Sequence, residues 1–226
     1  MNWMARIGAK AAGFWRDQSG TTLVELAMAV SVFLLILFGA IDFGRFYFHY
    51  VAAEKALGVA ARTAAVRPPI CSGLPGNNSR GTAPTGAIVP EYGSACSGVL
   101  TNASGVATGG SICALVIRSC TLASGTGSTV AANEIWGRLA GALPPGATQA
   151  NVQVSYSFDP KLNFLGGPYV PNVTMELTGL NFRFMSPLGQ LARLTAGPAL
   201  AFDQEPPFPS LSTTVPGEDL ATGNDG

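Results

Sequence analysis

From Leu26 to Ile41 the chain carries only apolar residues apart from Ser31 and Gly39, with no charge in the run. Adding Thr21–Val24 in front gives about 21 residues, or roughly 32 Å of helix, which matches the hydrocarbon thickness of a bilayer. Beyond it the pattern stays helical but turns one-sided: Phe43, Phe46/Tyr47, Tyr50, Ala53, Leu57, Ala60/Ala61 and Ala64 recur at helical spacing, and only Pro68-Pro69 stops it. The pattern predicts one helix over 21–66. Its second half has a stripe for packing, and Ala52, Ala56, Ala60 and Ala64 repeat every fourth position, which permits close approach. The stripe suits the chain's own domain and neighbouring helices equally.

After Pro69 the period changes. Val152, Val154, Tyr156 and Phe158 alternate with polar residues, as do Val173, Met175 and Leu177, so each segment reads as a strand with one apolar face. Leu180, Phe182 and Phe184 extend the second alternation beyond Gly179, through a bulge. Ile112–Ile117 reads as a short strand. Val130–Leu143 has helical spacing, with Asn133 as a cap and Pro144-Pro145 as its end. Residues 186–202 suit a short helix under the sheet, and from Asp203 the Pro-, Gly-, Ser- and acid-rich composition predicts a disordered tail. The expected fold is α+β: a long amino-terminal helix, then a small antiparallel sheet with helical cover. The expected divisions are 1–20, a basic leader or cytoplasmic segment; 21–66, the helix; 67–202, an extracytoplasmic domain; and 203–226, the tail.

Charge gives the helix a direction. Arg6, Lys10 and Arg16 precede it with Asp17 the only acid, so the positive-inside rule puts the amino terminus in the cytoplasm and everything after Ile41 outside. Asp42 and Arg45 then mark the outer boundary, and Phe46–Tyr50 make an aromatic belt. Two competing readings are weaker. A buried core helix is usually shorter than this run. A cleaved signal peptide cut after Ala40 would put bulky Phe38 where a small residue is wanted.

Cys71, Cys96, Cys113 and Cys120 lie in the exported part and read as two disulfides, with three connectivities open. Pairing Cys71 with Cys96 and Cys113 with Cys120 is the most local. A zinc site is the rival, but the spacings of 25, 17 and 7 residues contain no C-x-x-C and no histidine is near. His49, the only histidine, suits a hydrogen-bonded boundary residue. The chain has no phosphate-binding glycine motif, no H-E-x-x-H and no G-x-S-x-G, and Asp159 and Glu176 are isolated acids, so no catalytic, cofactor or metal residues are expected. Thirteen basic and thirteen acidic side chains give zero net charge with no basic stripe, which leaves nucleic-acid binding without electrostatic support.

Glu25 is the anomaly, since a carboxylate in mid-membrane costs up to about 2.5–3.5 kcal/mol and needs a partner. It stands five residues after Gly20. Cutting after Gly20 would make Thr21 a new amino terminus, with its ammonium one turn from that carboxylate. Gly20, a short apolar stretch and Glu25 resemble the processing motif of type IV prepilins. Together with Gly39, Asp42-Phe43-Gly44-Arg45 and the alanine-rich segment around Arg62, they resemble the TadE-like and TadG-like pseudopilins of bacterial tight-adherence (Flp, type IVb) pili, over roughly residues 18–67. Two positions depart from that pattern: Ser31-Val32 where a proline is usual, and Thr21 where processing usually leaves a phenylalanine. The resemblance implies a non-enzymatic pilus-assembly component, single-pass in the inner membrane, with its domain periplasmic or extracellular. The partners implied are the membrane, a prepilin peptidase, the major pilin, other minor pseudopilins and the assembly platform. The alternative is a membrane-anchored binding or adhesion module outside any filament.

Overall fold

A computed structural model describes residues 20–184, 206–218 and 220. The chain forms a long helix, α1 (Thr21–Val66), then β1 (Arg118–Thr121), α2 (Thr129–Leu139), a single 3-10 turn (Gln149–Asn151), β2 (Val152–Phe158), β3 (Pro171–Leu177) and β4 (Leu211–Pro216). The architecture is α+β, as the pattern of the chain predicts. The expected leader and the helix proposed over 186–202 lie outside the described residues.

No proline interrupts α1, so its backbone bonds run unbroken for 46 residues, about 69 Å at the usual rise. It stops at Val66 because Pro68 cannot donate and drives Arg67 away from helical backbone; the Arg67 amide makes the last bond, to Thr63, at 3.1 Å. The structure divides into two compact units, and the division falls within α1, between Arg45 and Phe46.

In the first unit the helix is uncharged from Leu26 to Ile41 and shows apolar side chains on every side. Leu23, Phe33 and Ile36 are each more than 60 % exposed, and the most apolar eighteen-residue window buries nothing. Such a helix is long and apolar enough to cross a membrane. Ser31 satisfies its hydroxyl within the helix, donating to the Ala27 carbonyl at 2.8 Å.

The second unit holds the sheet, in the antiparallel order β1-β2-β3-β4. Val152, Val154 and Tyr156 on β2 and Val173, Met175 and Leu177 on β3 are buried, while Gln153, Ser155, Thr174 and Glu176 lie on the other face. Ala53, Leu57, Ala60, Ala61 and Ala64 are buried too, so the stripe on α1 is used within its own unit. Ala131, Ala132, Ile135 and Leu139 form the buried stripe of α2. The Tyr156 hydroxyl, inside this core, accepts the Ile70 amide at 3.1 Å, and burial pushes its pKa up.

The aromatic belt proves to have two faces. Tyr47 and Phe48 are exposed, whereas Phe46 meets Phe182 and Phe208 edge-on at 5.2 and 5.8 Å, and Tyr50 lies 6.3 Å from Phe208. His49 packs beside Phe182, with its Nδ1 3.4 Å from the Ala142 carbonyl.

Three local expectations are corrected. Ile112–Ile117 is not a strand; β1 begins at Arg118, because the preceding residues are committed to loop contacts such as the Arg80–Cys113 bridge. α2 starts earlier, capped by Ser128, whose Oγ accepts the Ala131 amide at 3.2 Å, and ends at Leu139. The chain after Asp203 is not uniformly a disordered tail: β4 pairs along β3 from Leu177↔Leu211 to Asn172↔Pro216, and Phe208, Leu211 and Leu220 are buried. Of the three cysteine connectivities left open, the structure takes one that is not the most local: Cys71 bonds Cys120 and Cys96 bonds Cys113. The break at Gly179 is real. Its φ of +64° interrupts the β3 ladder, which resumes with Phe182 and Phe208 bonding to Pro206 and Leu180.

Candidate functional site

The residues singled out by sequence lie at three separate places. Gly20 immediately precedes α1, exposed, with open space around its Cα and its carbonyl bonded to the Val24 amide at 3.2 Å. Thr21 and Glu25 follow one turn apart, on one face of the helix and exposed. The peptide bond after Gly20 therefore sits at the start of α1.

The second place is about 26 Å further along α1, at the usual rise per residue. Here the buried Asp42 carboxylate faces the Arg45 guanidinium at 3.5 Å, and Phe43 meets Phe184 edge-on at 5.9 Å. Gly39 is half-buried and Gly44 has open space around it. Arg62 lies on the exposed side of α1, opposite the buried alanines.

The third place is the bridged loop region. Cys71–Cys120 ties the chain just after α1 to β1, and Cys96–Cys113 closes the loop between them. Cys96 and Cys113 pack with Leu100, Ile112 and Leu165 in a small core of their own. Among the described residues no group of three or more His, Cys, Asp or Glu is placed to hold a metal ion.

Sequence reasoning missed two arrangements. Asn78 and Asn163 are buried, and their amides organise the loops. The two hydrogens of Asn78 Nδ2 are shared among Asn163 Oδ1 and the carbonyls of Phe164 and Pro168, all at 2.9–3.1 Å, while Asn163 Nδ2 donates to the Asp159 and Val170 carbonyls. In sequence Asn78 reads only as a turn residue, since its partners are 85 or more positions away. The other is a polar cavity of about 390 Å3 lined by Cys71, Ser72, Arg118, Ser119, Cys120, Ser124 and Thr126. Its residues come from two loops and a strand edge, so no motif announces it.

Comparison with curated proteins and with solved structures found no match. Residues 20–62, which take in Gly20 and nearly all of α1, match the family model described as TadE-like protein.

Proposed function

We propose that the protein is a minor pseudopilin-like component of a bacterial type IVb (Flp/Tad) pilus, anchored in the inner membrane by the first half of α1 and acting in pilus biogenesis and surface adherence. The observation that carries this reading is the two-part helix. From Leu26 to Ile41 it is uncharged and almost entirely exposed, as a membrane span requires, and from Phe46 it is built into a folded domain. The TadE-like match falls on this helix. The protein acts by assembly rather than catalysis.

In this reading a prepilin peptidase cuts after Gly20, and Glu25 pairs with the amino terminus of a neighbouring subunit. That pairing offsets the cost of a carboxylate in hydrocarbon and sets the register between helices. The basic segment before Gly20 stays cytoplasmic until processing, and the domain from Arg67 onward lies outside. The partners are the peptidase, the major pilin, other minor pseudopilins and the assembly platform.

The test is the mass and amino-terminal sequence of the protein from its native membrane, for wild type and Gly20→Ala. A wild-type chain that starts at Thr21, with the substituted chain retaining residues 2–20, is the expected result. Residues 2–20 present in both would exclude processing and leave a permanently anchored envelope protein.

A further inference from the structure

We propose that the polar cavity beside the Cys71–Cys120 bridge binds a compact oxyanion, a phosphate or a carboxylate carried on a larger ligand. The argument begins with Arg118. Arg45, Arg67 and Arg138 each face a carboxylate, whereas Arg118 faces none among the described residues; its Nη1 donates at 3.0 Å only to the neighbouring Ile117 carbonyl. The guanidinium lies against the backbone of Gly73, where φ is +80° and an added Cβ would stand 3.1 Å from Nε. Gly73 thus makes room for the side chain in this position. Among the described residues, one of its five guanidinium N–H groups has an acceptor.

The hydroxyls around it are biased in the same direction. Ser119 Oγ already accepts from Gln153 Nε2 at 2.7 Å and from Ser155 Oγ at 3.2 Å. Ser124 Oγ accepts from the Thr121 amide at 3.0 Å and from Thr121 Oγ1 at 2.9 Å. A hydroxyl has two acceptor positions and one hydrogen, so both oxygens are saturated as acceptors and only their hydrogens remain to be given. Ser72 and Thr126 share a single hydrogen bond of 2.6 Å, which leaves one of their two hydrogens free. Among the lining side chains there is no carboxylate, and the bridged sulfurs donate nothing. The cavity therefore presents one positive charge and several O–H and N–H donors with no acidic competitor. An oxyanion is the complement of that set, and charge-assisted hydrogen bonds of this kind are the stronger ones.

The experiment uses the full-length oxidised chain in detergent micelles, observed through backbone amide chemical shifts at constant ionic strength with chloride as reference. Inorganic phosphate, glucuronate and uncharged glucose are titrated separately. Saturable shifts confined to residues 118–126 and 71–73 are expected from at least one anion, and none from glucose. Saturation by phosphate alone identifies a phosphate group as the ligand chemistry; saturation by glucuronate alone identifies a carboxylate. Arg118→Gln should weaken binding about tenfold or more, and Ser119→Ala or Ser124→Ala, which keep the charge, by about three- to tenfold. Unchanged β3 and β4 amide shifts in each variant show that the domain is folded. No saturable shift from either anion, or equal binding by folded Arg118→Gln, overturns the proposal.

Discussion

Glu134 on α2 shows how a single side chain ties the end of the long helix to the domain. Arg67, just past α1, reaches it with Nε at 3.0 Å from Oε2, and Arg138 one turn along α2 reaches Oε1 at 3.1 Å. The Arg67 hydrogen bond, then that of Arg138, lowers the Glu134 pKa below its ordinary value of 4.5. A depressed carboxylate pKa means that the unfolded chain takes up the proton first as pH falls. The stabilisation is therefore present above about pH 4.5 and is lost below it. Thermal unfolding followed from pH 7 to 3 should show part of the decline of Tm below that point disappear in Glu134→Gln; an unchanged profile would assign the acid sensitivity elsewhere. The same scale explains why Glu134 was legible only as a helix position. Its partner Arg67 is 67 residues away, and charge pairing at that range leaves no local period.

At the scale of elements, the disulfides and the sheet edges decide the shape of the domain. Cys71–Cys120 spans 49 residues and Cys96–Cys113 spans 17 within it. In the chain-entropy account the wider loop restricts the unfolded state more, by about 1 kcal/mol between these two lengths, on a typical total of about 2–5 kcal/mol for a native bridge. Cys71→Ser/Cys120→Ser should therefore lower the denaturant midpoint more than Cys96→Ser/Cys113→Ser. The reverse order would mean that packing of the inner bridge against Leu100, Ile112 and Leu165 outweighs loop closure. The strands β2 and β3 could be read directly, because alternation over seven residues with one buried face is a strong signal. The edge strands could not. β1 is four residues, Arg-Ser-Cys-Thr, and is held by its neighbour and by a disulfide rather than by its own pattern.

For the whole molecule, the C-terminal segment is the least expected structural part. Phe208, Leu211 and Leu220 are buried, and β4 closes the sheet against β3. Fully burying one such side chain contributes about 1.5–3 kcal/mol, and the net stability of a domain is only about 5–15 kcal/mol. A chain ending at residue 205 should therefore lose cooperative unfolding of the sheet domain and become sensitive to protease after Arg118 and Arg138, while α1 still retains it in the membrane. Survival of a sharp thermal transition in the truncated protein would show that β4 is dispensable. The proposed role in a pilus depends on both halves of α1 at once, since one must satisfy hydrocarbon and the other a protein core.

What the sequence by itself determined is the helix and its division of labour. Uninterrupted apolar residues, a following one-sided stripe and a double proline are local signals, and they act through bilayer thickness, helical period and backbone donors, none of which needs a distant partner. The two central strands and the resemblance carried by Gly20, Glu25 and the Asp42–Arg45 segment were legible for the same reason. Only the tertiary structure decided how four cysteines pair, that a Pro- and Ser-rich end returns as a strand, and that Arg118 meets Ser72, Ser124 and Thr126 around a cavity. Each of these is a choice among partners far apart in the chain, made by which surfaces can be buried together, and a one-dimensional pattern does not record that choice.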